Sequence, residues 1–354
     1  MNFYEVLDWS VWKTLAKEIK VQIISQLLMY FVSPLKKVSN VRYIDCAQDG
    51  IKCQTFEFQI DGEWFVFVPG NTDTILGWDS GVNGLPTTAW HDKLENETEQ
   101  VKKIIRNYQL KTKDDWTTFL NESTSPLRKK DILPMFVQKT PQPVGTKLIG
   151  HFHIITGEFF GQQKIFQTIE QNFQAAFLAP VTFEESLSCE QPATLYKENQ
   201  FFAKLNANQE SYDVYVHQLS SYDELNDELN DQLTNHVFDL LDEDQWEYAI
   251  GAGTRKLFRW GNMVSSDTPD QHAYIEQMIE SKNMFGLSFQ SLAQCFELTD
   301  STCVKGEQWE QTGLTLLDLL PQASYYRSRH SFDRQAKLSP LEYNYRKAII
   351  IRSE

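Results

Sequence analysis

The sequence predicts an α+β protein with few long elements and many aromatic side chains. Three observations carry that expectation: a near-helical apolar spacing over residues 9–32, two separate regions of strand-like runs, and a capped helix opening at Asp242. Trp12, Leu15, Ile19, Ile23, Leu27 and Met29 to Phe31 recur at helical spacing over the first stretch. Ser10 is placed to cap its start and Pro34 to stop it. Glu18 and the apolar width favour packing onto the domain over lying on a membrane.

Strand-like runs follow at Val41 to Cys46, Ile51 to Ile60 and Trp64 to Val68, the last two separated by Asp61-Gly62, a strong hairpin signal. Four glycines punctuate VPGNTDTILGWDSGVNGLP, which is expected to be looped. Residues 92–130 are polar and helix-favouring, with a break at Ser125-Pro126, and a second β-rich region runs from Ile132 to Phe160. In DELNDELND, Leu225, Leu229 and Leu233 form the inner stripe of a short helix capped by Ser221, with its acids on a solvated face. Calcium binding is the weaker reading, because the glycine and terminal glutamate of a calcium loop are missing.

Composition narrows the classes. The 354 residues carry 33 basic and 48 acidic side chains, a net charge of −15, and a 41% hydrophobic content sufficient for a sizeable core. At roughly 150 residues per domain the length suggests about two domains, or one large domain with an appended piece. The acidic balance argues against nucleic acid and anionic membranes, and no apolar run is long enough to span a bilayer. The N-terminus has neither a basic region nor a small-residue cleavage site. Five cysteines without a CxxC make a disulfide framework improbable and a reducing cytoplasm the expected compartment.

The most distinctive stretch is LLDEDQWEYAIGAGTRKLFRWGN. Asp242 and Gln245 form a capping-box pattern, Glu243 and Asp244 suit the helix N-terminus, Trp246, Ala249 and Ile250 face inward, and Gly251 and Gly253 end the helix. Trp260-Gly261-Asn262 then makes a turn with a buried Trp. This segment resembles the signature of the formylglycine-generating enzyme (sulfatase-modifying factor) family, through Trp246, Glu247, Tyr248, Ala249, Trp260, Gly261 and Asn262. Asn283-Met284-Phe285-Gly286-Leu287, Glu297-Leu298-Thr299-Asp300, Val304-Lys305-Gly306 and Tyr345-Arg346-Lys347 resemble later blocks of the same pattern, and the resemblance spans roughly residues 60–354. It implies a loop-rich, C-type-lectin-like fold over residues 61–354 behind a helix-plus-hairpin extension at 1–60.

The departures from that pattern bear on chemistry. The family binds copper(I) with two cysteines after the Gly306 region, as a soft metal requires, yet no cysteine follows Cys303. The turn matching Leu292-Ala293-Gln294 lacks its glycine and asparagine, and Gln308 stands beyond the single retained glycine. No cofactor is matched, with copper or iron the possibilities. Cys295 and Cys303 are either a relocated thiolate pair for metal or redox work or, the favoured reading, two small buried hydrophobes. His151 and His153 share one strand face and can share a metal, although no third ligand can be named, and a half-exposed strand face is the plainer account. Arg327 and Arg329, beside Tyr326, suit carboxylate or phosphate recognition, with pairing to the acidic bulk as the alternative. Glu247 is expected to be structural.

Whether the chain is an enzyme stays open at this point. The expected function is a non-catalytic member of that family that binds a peptide or small ligand. The alternatives are an oxygen-dependent non-haem metal oxidoreductase with unusual ligands, or a structural subunit. Ligand identity and oligomeric state lie beyond the sequence.

Overall fold

The computed structural model describes residues 4–48, 51–85, 99–178, 191–206, 209–230, 238–264, 277, 282–289, 295–301, 303–307, 312 and 314–352. It is a mixed α+β protein with several antiparallel sheets. The chain divides into two compact units. One comprises Met1–Pro141, Asn226–Asp333 and Asn344–Glu354, the other Gln142–Leu225 and Arg334–Tyr343. The boundary expected at residue 60 falls in the turn between two hydrogen-bonded strands of the first unit. Among the described residues, no helix is long and apolar enough to cross a membrane.

The first unit is built on a five-stranded sheet in the order Val38–Gln48, Ile51–Ile60, Glu63–Val68, Met135–Gln138 and Ala348–Ile350, with antiparallel neighbours throughout. The Asp61-Gly62 signal holds: both residues have positive φ, at 52° and 92°, as a two-residue hairpin turn of the mirror-image type requires. The near-continuous burial of Phe65 to Val68 and Met135 to Val137 marks strands covered on both faces.

The N-terminal helix is interrupted. Residues Trp9–Trp12 form one short helix, capped by Asp8 rather than Ser10, and Lys17–Phe31 form a second after an extended Ala16. The break resets the helical phase. Lys20, Ile23, Ile24 and Leu27 are buried, while Ile19, Met29 and Tyr30, counted from Trp12 as inward, are exposed. Trp12 anchors the short helix by packing its ring, tilted, 4.7 Å from that of Phe67 and donating its indole N–H to the Gln54 carbonyl at 3.0 Å.

The glycine-punctuated stretch is more ordered than its composition suggests. Asn71–Leu76 is a strand paired with Arg128–Ile132, and Thr74 and Leu76 alternate inward. Helices at Glu99–Tyr108 and Lys113–Glu122 occupy the helix-favouring region. The acidic repeat forms the helix Tyr222–Leu229 with Leu225 and Leu229 buried, and the Ser221 hydroxyl accepts from the Glu224 N–H at 3.3 Å. Leu233 lies outside the described residues, as do Cys189, Leu292–Gln294 and Gln308.

The second unit carries a five-stranded antiparallel sheet in the order Thr194–Lys197, Phe201–Leu205, Ser211–His217, Thr146–His153 and Phe159–Gly161. Counted along the chain, its strands lie 3-4-5-1-2. One face is packed by the helix Gln163–Phe177, whose Phe166, Ile169 and Phe173 recur at i, i+3 and i+7. Phe166 stacks on Phe159 at 4.0 Å, and Phe173 meets Phe152 and Phe201. Gly150 and Gly161 oppose each other with positive φ, and a Cβ on either would stand 2.2 Å from a carbonyl oxygen. Only glycine allows these two strands to approach so closely.

Candidate functional site

Two places gather the chemistry-bearing side chains, one in each unit. In the first unit the helix Glu243–Gly251 organises everything around it. Its capping box is present in full. The Asp242 carboxylate accepts from the Gln245 backbone N–H at 2.7 Å, and the Gln245 side-chain Oε1 accepts from the Asp242 N–H at 3.0 Å. The helix closes on Ala252 rather than a glycine, with the left-handed φ of 50°. Asn283 holds that end. It is buried, its side-chain amide donates to the Ala249 and Ile250 carbonyls, and its oxygen accepts from Phe285 and Leu287 N–H. A Cβ on Gly286, φ 84°, would come within 2.8 Å of Ile44.

Along one side of this helix run Glu243 and Glu247, one turn apart. The Lys305 ammonium, fully buried, bridges them at 2.9 and 3.0 Å and gives its third hydrogen to the Tyr326 carbonyl at 3.1 Å. Arg327 forks onto the two oxygens of Glu243 at 2.7 and 2.5 Å. Arg128 reaches Glu247 at 2.8 Å and Asp244 at 2.5 Å, and the Ser125 hydroxyl completes Glu247 at 3.0 Å. The node is nearly charge-balanced: three carboxylates meet Lys305, Arg128, Arg327 and the outlying Lys130. Burial pushes the Glu243 carboxyl up, but the Arg327 hydrogen bond and the Lys305 charge outweigh it, holding the group at about 2.

A second buried pair lies on the other side of Trp246. The Arg346 guanidinium meets Glu297 at 2.7 Å and donates to the Gln138, Lys139 and Ser288 carbonyls. The Trp246 indole N–H donates to the same Glu297 at 2.9 Å.

Most residues that suggested a catalytic family thus act as packing and caps. Trp246 and Tyr248 are core, and the Tyr248 hydroxyl donates to the Pro69 carbonyl at 3.1 Å. Trp260 stacks on Phe258 at 4.8 Å around Gly261, φ 115°, and Asn262 accepts from the Leu257 N–H. Gly306 follows Lys305 with a left-handed φ of 77°.

Cys303 lies beside this node, its thiol 3.7 Å from Glu243. Burial raises the thiol pKa more than the Lys305 charge lowers it, so it stays protonated. The strands Phe296–Leu298 and Val304–Lys305 pair Glu297 with Lys305 and Leu298 with Val304. Tyr326 donates its hydroxyl to Glu307, Arg329 is exposed, and His330 stacks on Phe296 at 4.0 Å.

The second gathering is the sheet face opposite the helix Gln163–Phe177. Cross-strand register aligns Thr194, Lys204, Asp213, His151 and Phe160 in one row. The neighbouring row is Tyr196, Phe202, Tyr215 and Leu148. Phe202 meets Tyr196 at 6.4 Å and Tyr215 at 6.1 Å. Lys204 and His151 are exposed, and the Phe160 ring is 57% exposed. His151 Nδ1 lies 2.8 Å from Asp213, and His153 Nδ1 accepts from the Thr156 N–H at 3.2 Å. The two histidines therefore share a face but each spends a ring nitrogen on a protein partner. Among the described residues, no three or more His, Cys, Asp or Glu side chains gather where they could hold a metal ion.

The hydrogen bond to Asp213 raises the His151 pKa above its ordinary 6.5. A raised histidine stabilises fully below the unfolded value and loses its contribution as pH climbs through the folded one. Because both side chains are partly exposed, the effect is small. The stability difference between wild type and His151→Gln is therefore expected to shrink as pH rises above about 6.5. Urea melts followed by tyrosine emission measure it, and a pH-independent difference contradicts the pairing.

Residues 147–216, the sheet and helix of the second unit, match the family described as a profilin-like domain of unknown function (DUF7278). No curated protein matches the chain. The profilin-like match corrects the resemblance to the formylglycine-generating enzyme family: it falls inside the stretch that resemblance claimed, and nothing in the comparison supports the sulfatase-modifying family. The physical reason is that a capped helix with inward Trp and Tyr, a Trp-Gly-Asn turn and an Asn-capped Phe-Gly turn serve packing in any fold with this local geometry. The lectin-like architecture loses its support with the resemblance.

Proposed function

We propose that the chain is a non-catalytic binding protein, and that the sheet face of its second unit opposite the helix Gln163–Phe177 takes a peptide or small-molecule ligand. The observation that carries this reading is the row Lys204, Asp213, His151 and Phe160, which sets charged and hydrogen-bonding groups beside an exposed aromatic ring. A small number of placed polar groups next to apolar surface is the usual composition of a recognition site. The ligand presents an apolar group to Phe160 and a polar or charged group to His151 and Lys204. The first unit adds support from the other direction: Glu243, Glu247, Lys305, Arg128 and Arg327 are committed to one another, and the Cys303 thiol is held protonated.

A thermal-shift screen of short peptides and small aromatic acids against the full chain tests it, with Phe160→Ser and Arg329→Ala run beside wild type. Phe160→Ser is expected to weaken the best ligand by about tenfold or more, as loss of an aromatic anchor does. Unchanged affinity in Phe160→Ser, with loss in Arg329→Ala, would move the site to the Arg327–His330 stretch.

A further inference from the structure

Two of the free thiols face each other across the first hairpin. Cys46 and Cys53 are direct partners in the antiparallel register of Val38–Gln48 and Ile51–Ile60, two pairs in from Gln48 and Ile51. Side chains of directly opposed residues project from the same sheet face. Opposed residues in an antiparallel pair have Cα atoms about 4.5 or 5.5 Å apart, and both spacings lie inside the ~4.4–6.8 Å window of a disulfide.

Access differs between the two. Cys53 is fully buried in the core, whereas Cys46 is half-buried on the strand that forms the sheet edge. The Cys46 sulfur reaches the Phe285-Gly286 turn, where a Cβ on Gly286 would stand 3.4 Å from it. Burial raises both thiols, Cys53 much further, while Lys282 and Lys139 pull Cys46 the other way. Cys46, the more accessible of the two, is therefore the thiol that meets a soluble oxidant first, and Cys53, its cross-strand partner, the one placed to resolve it.

We infer that Cys46 and Cys53 form a thiol–disulfide couple closed by hydrogen peroxide. The Cys46 thiolate attacks one peroxide oxygen, the O–O bond breaks, and the departing hydroxide takes a proton to leave as water, giving Cys46 sulfenic acid. The Cys53 sulfur then attacks the Cys46 sulfur, the S–O bond breaks, and the hydroxyl leaves with the Cys53 proton as a second water. Two thiols are oxidised by two electrons in total and one peroxide is reduced to two waters. The crosslink fastens the end of the edge hairpin, and a thiol reductant reopens it by exchange.

The test treats the folded full chain with hydrogen peroxide, alkylates it, digests it without reductant and maps the peptides by mass spectrometry. The expected product is a Cys46–Cys53 link lighter by two hydrogens, with the alkylatable thiols falling from five to three. The link persists in Cys295→Ser/Cys303→Ser. In Cys53→Ala, Cys46 accumulates as a sulfenic acid that a dimedone probe captures. Three results overturn the inference: Cys46 advancing to sulfinic acid while Cys53 stays alkylatable, Cys46 pairing with another cysteine, or five thiols retained in the folded chain under peroxide that oxidises the denatured chain.

Discussion

Replacing Lys305 with methionine lowers the stability of the first unit by about 3–5 kcal/mol, the cost of breaking a buried ion pair from one side. The methionine fills the space of the lysine stem but leaves Glu247, fully buried, facing Glu243 one turn away without the ammonium between them. Arg128 and Ser125 still hold one oxygen of Glu247, and the other oxygen loses its only charged partner among the contacts described. The Tyr326 carbonyl loses its donor as well. All nine tryptophans lie outside the second unit, so tryptophan emission in a urea melt reports the first unit alone. Adding Glu247→Gln to Lys305→Met removes the stranded charge, and the double variant is expected to lose less than the sum of the single ones. A loss below about 1 kcal/mol in Lys305→Met would mean that the node is solvated rather than closed.

Trp246→Ala is expected to cost about 3–5 kcal/mol in the same melts, as truncation of a core Trp does. Trp246 is buried against Phe289 at 6.1 Å, and its indole N–H is one of two donors to Glu297 Oε1, the other being Arg346. The substitution therefore leaves a cavity and weakens a buried carboxylate. Trp246→Phe keeps most of the volume and loses the donor, so its smaller deficit separates the two contributions. Unchanged stability in Trp246→Ala would contradict the packing role assigned to the whole segment.

Local features were legible in the sequence because their physics is local. The Asp61-Gly62 hairpin, the Asp242/Gln245 cap, the inward Trp246 and the buried Leu225 and Leu229 each depend on residues a few positions apart. The break at Lys13–Ala16 was not legible, since its residues fit a helix and only the packing of Trp12 and Ile23 decides the phase. The charged node was invisible for a different reason. Lys305 is 58 residues from Glu247 and Arg128 is 119, so no spacing rule joins them. Glu243 suited the helix N-terminus by sequence, and its fork with Arg327 came only with the fold. The second unit shows the limit most plainly. His151 and His153 stood out as a pair, while the Asp213 that engages His151 and the Phe160 beside it follow from strand register, which two-residue periodicity alone does not fix. The resemblance to a catalytic family failed because it rested on the capped helix and its turns, the parts of the chain most dominated by packing.

Recognition by the row Lys204, Asp213, His151 and Phe160 of the second unit is directly measurable. The most direct measurement is a chemical-shift map of the full chain, labelled at backbone amides, titrated with the strongest peptide or small-molecule hit. Perturbations are expected to concentrate on Thr146–His153, Phe159–Gly161 and Ser211–His217, saturating with the affinity found by thermal shift. Perturbations centred on Tyr326 to His330, with those three strands unmoved, would contradict it.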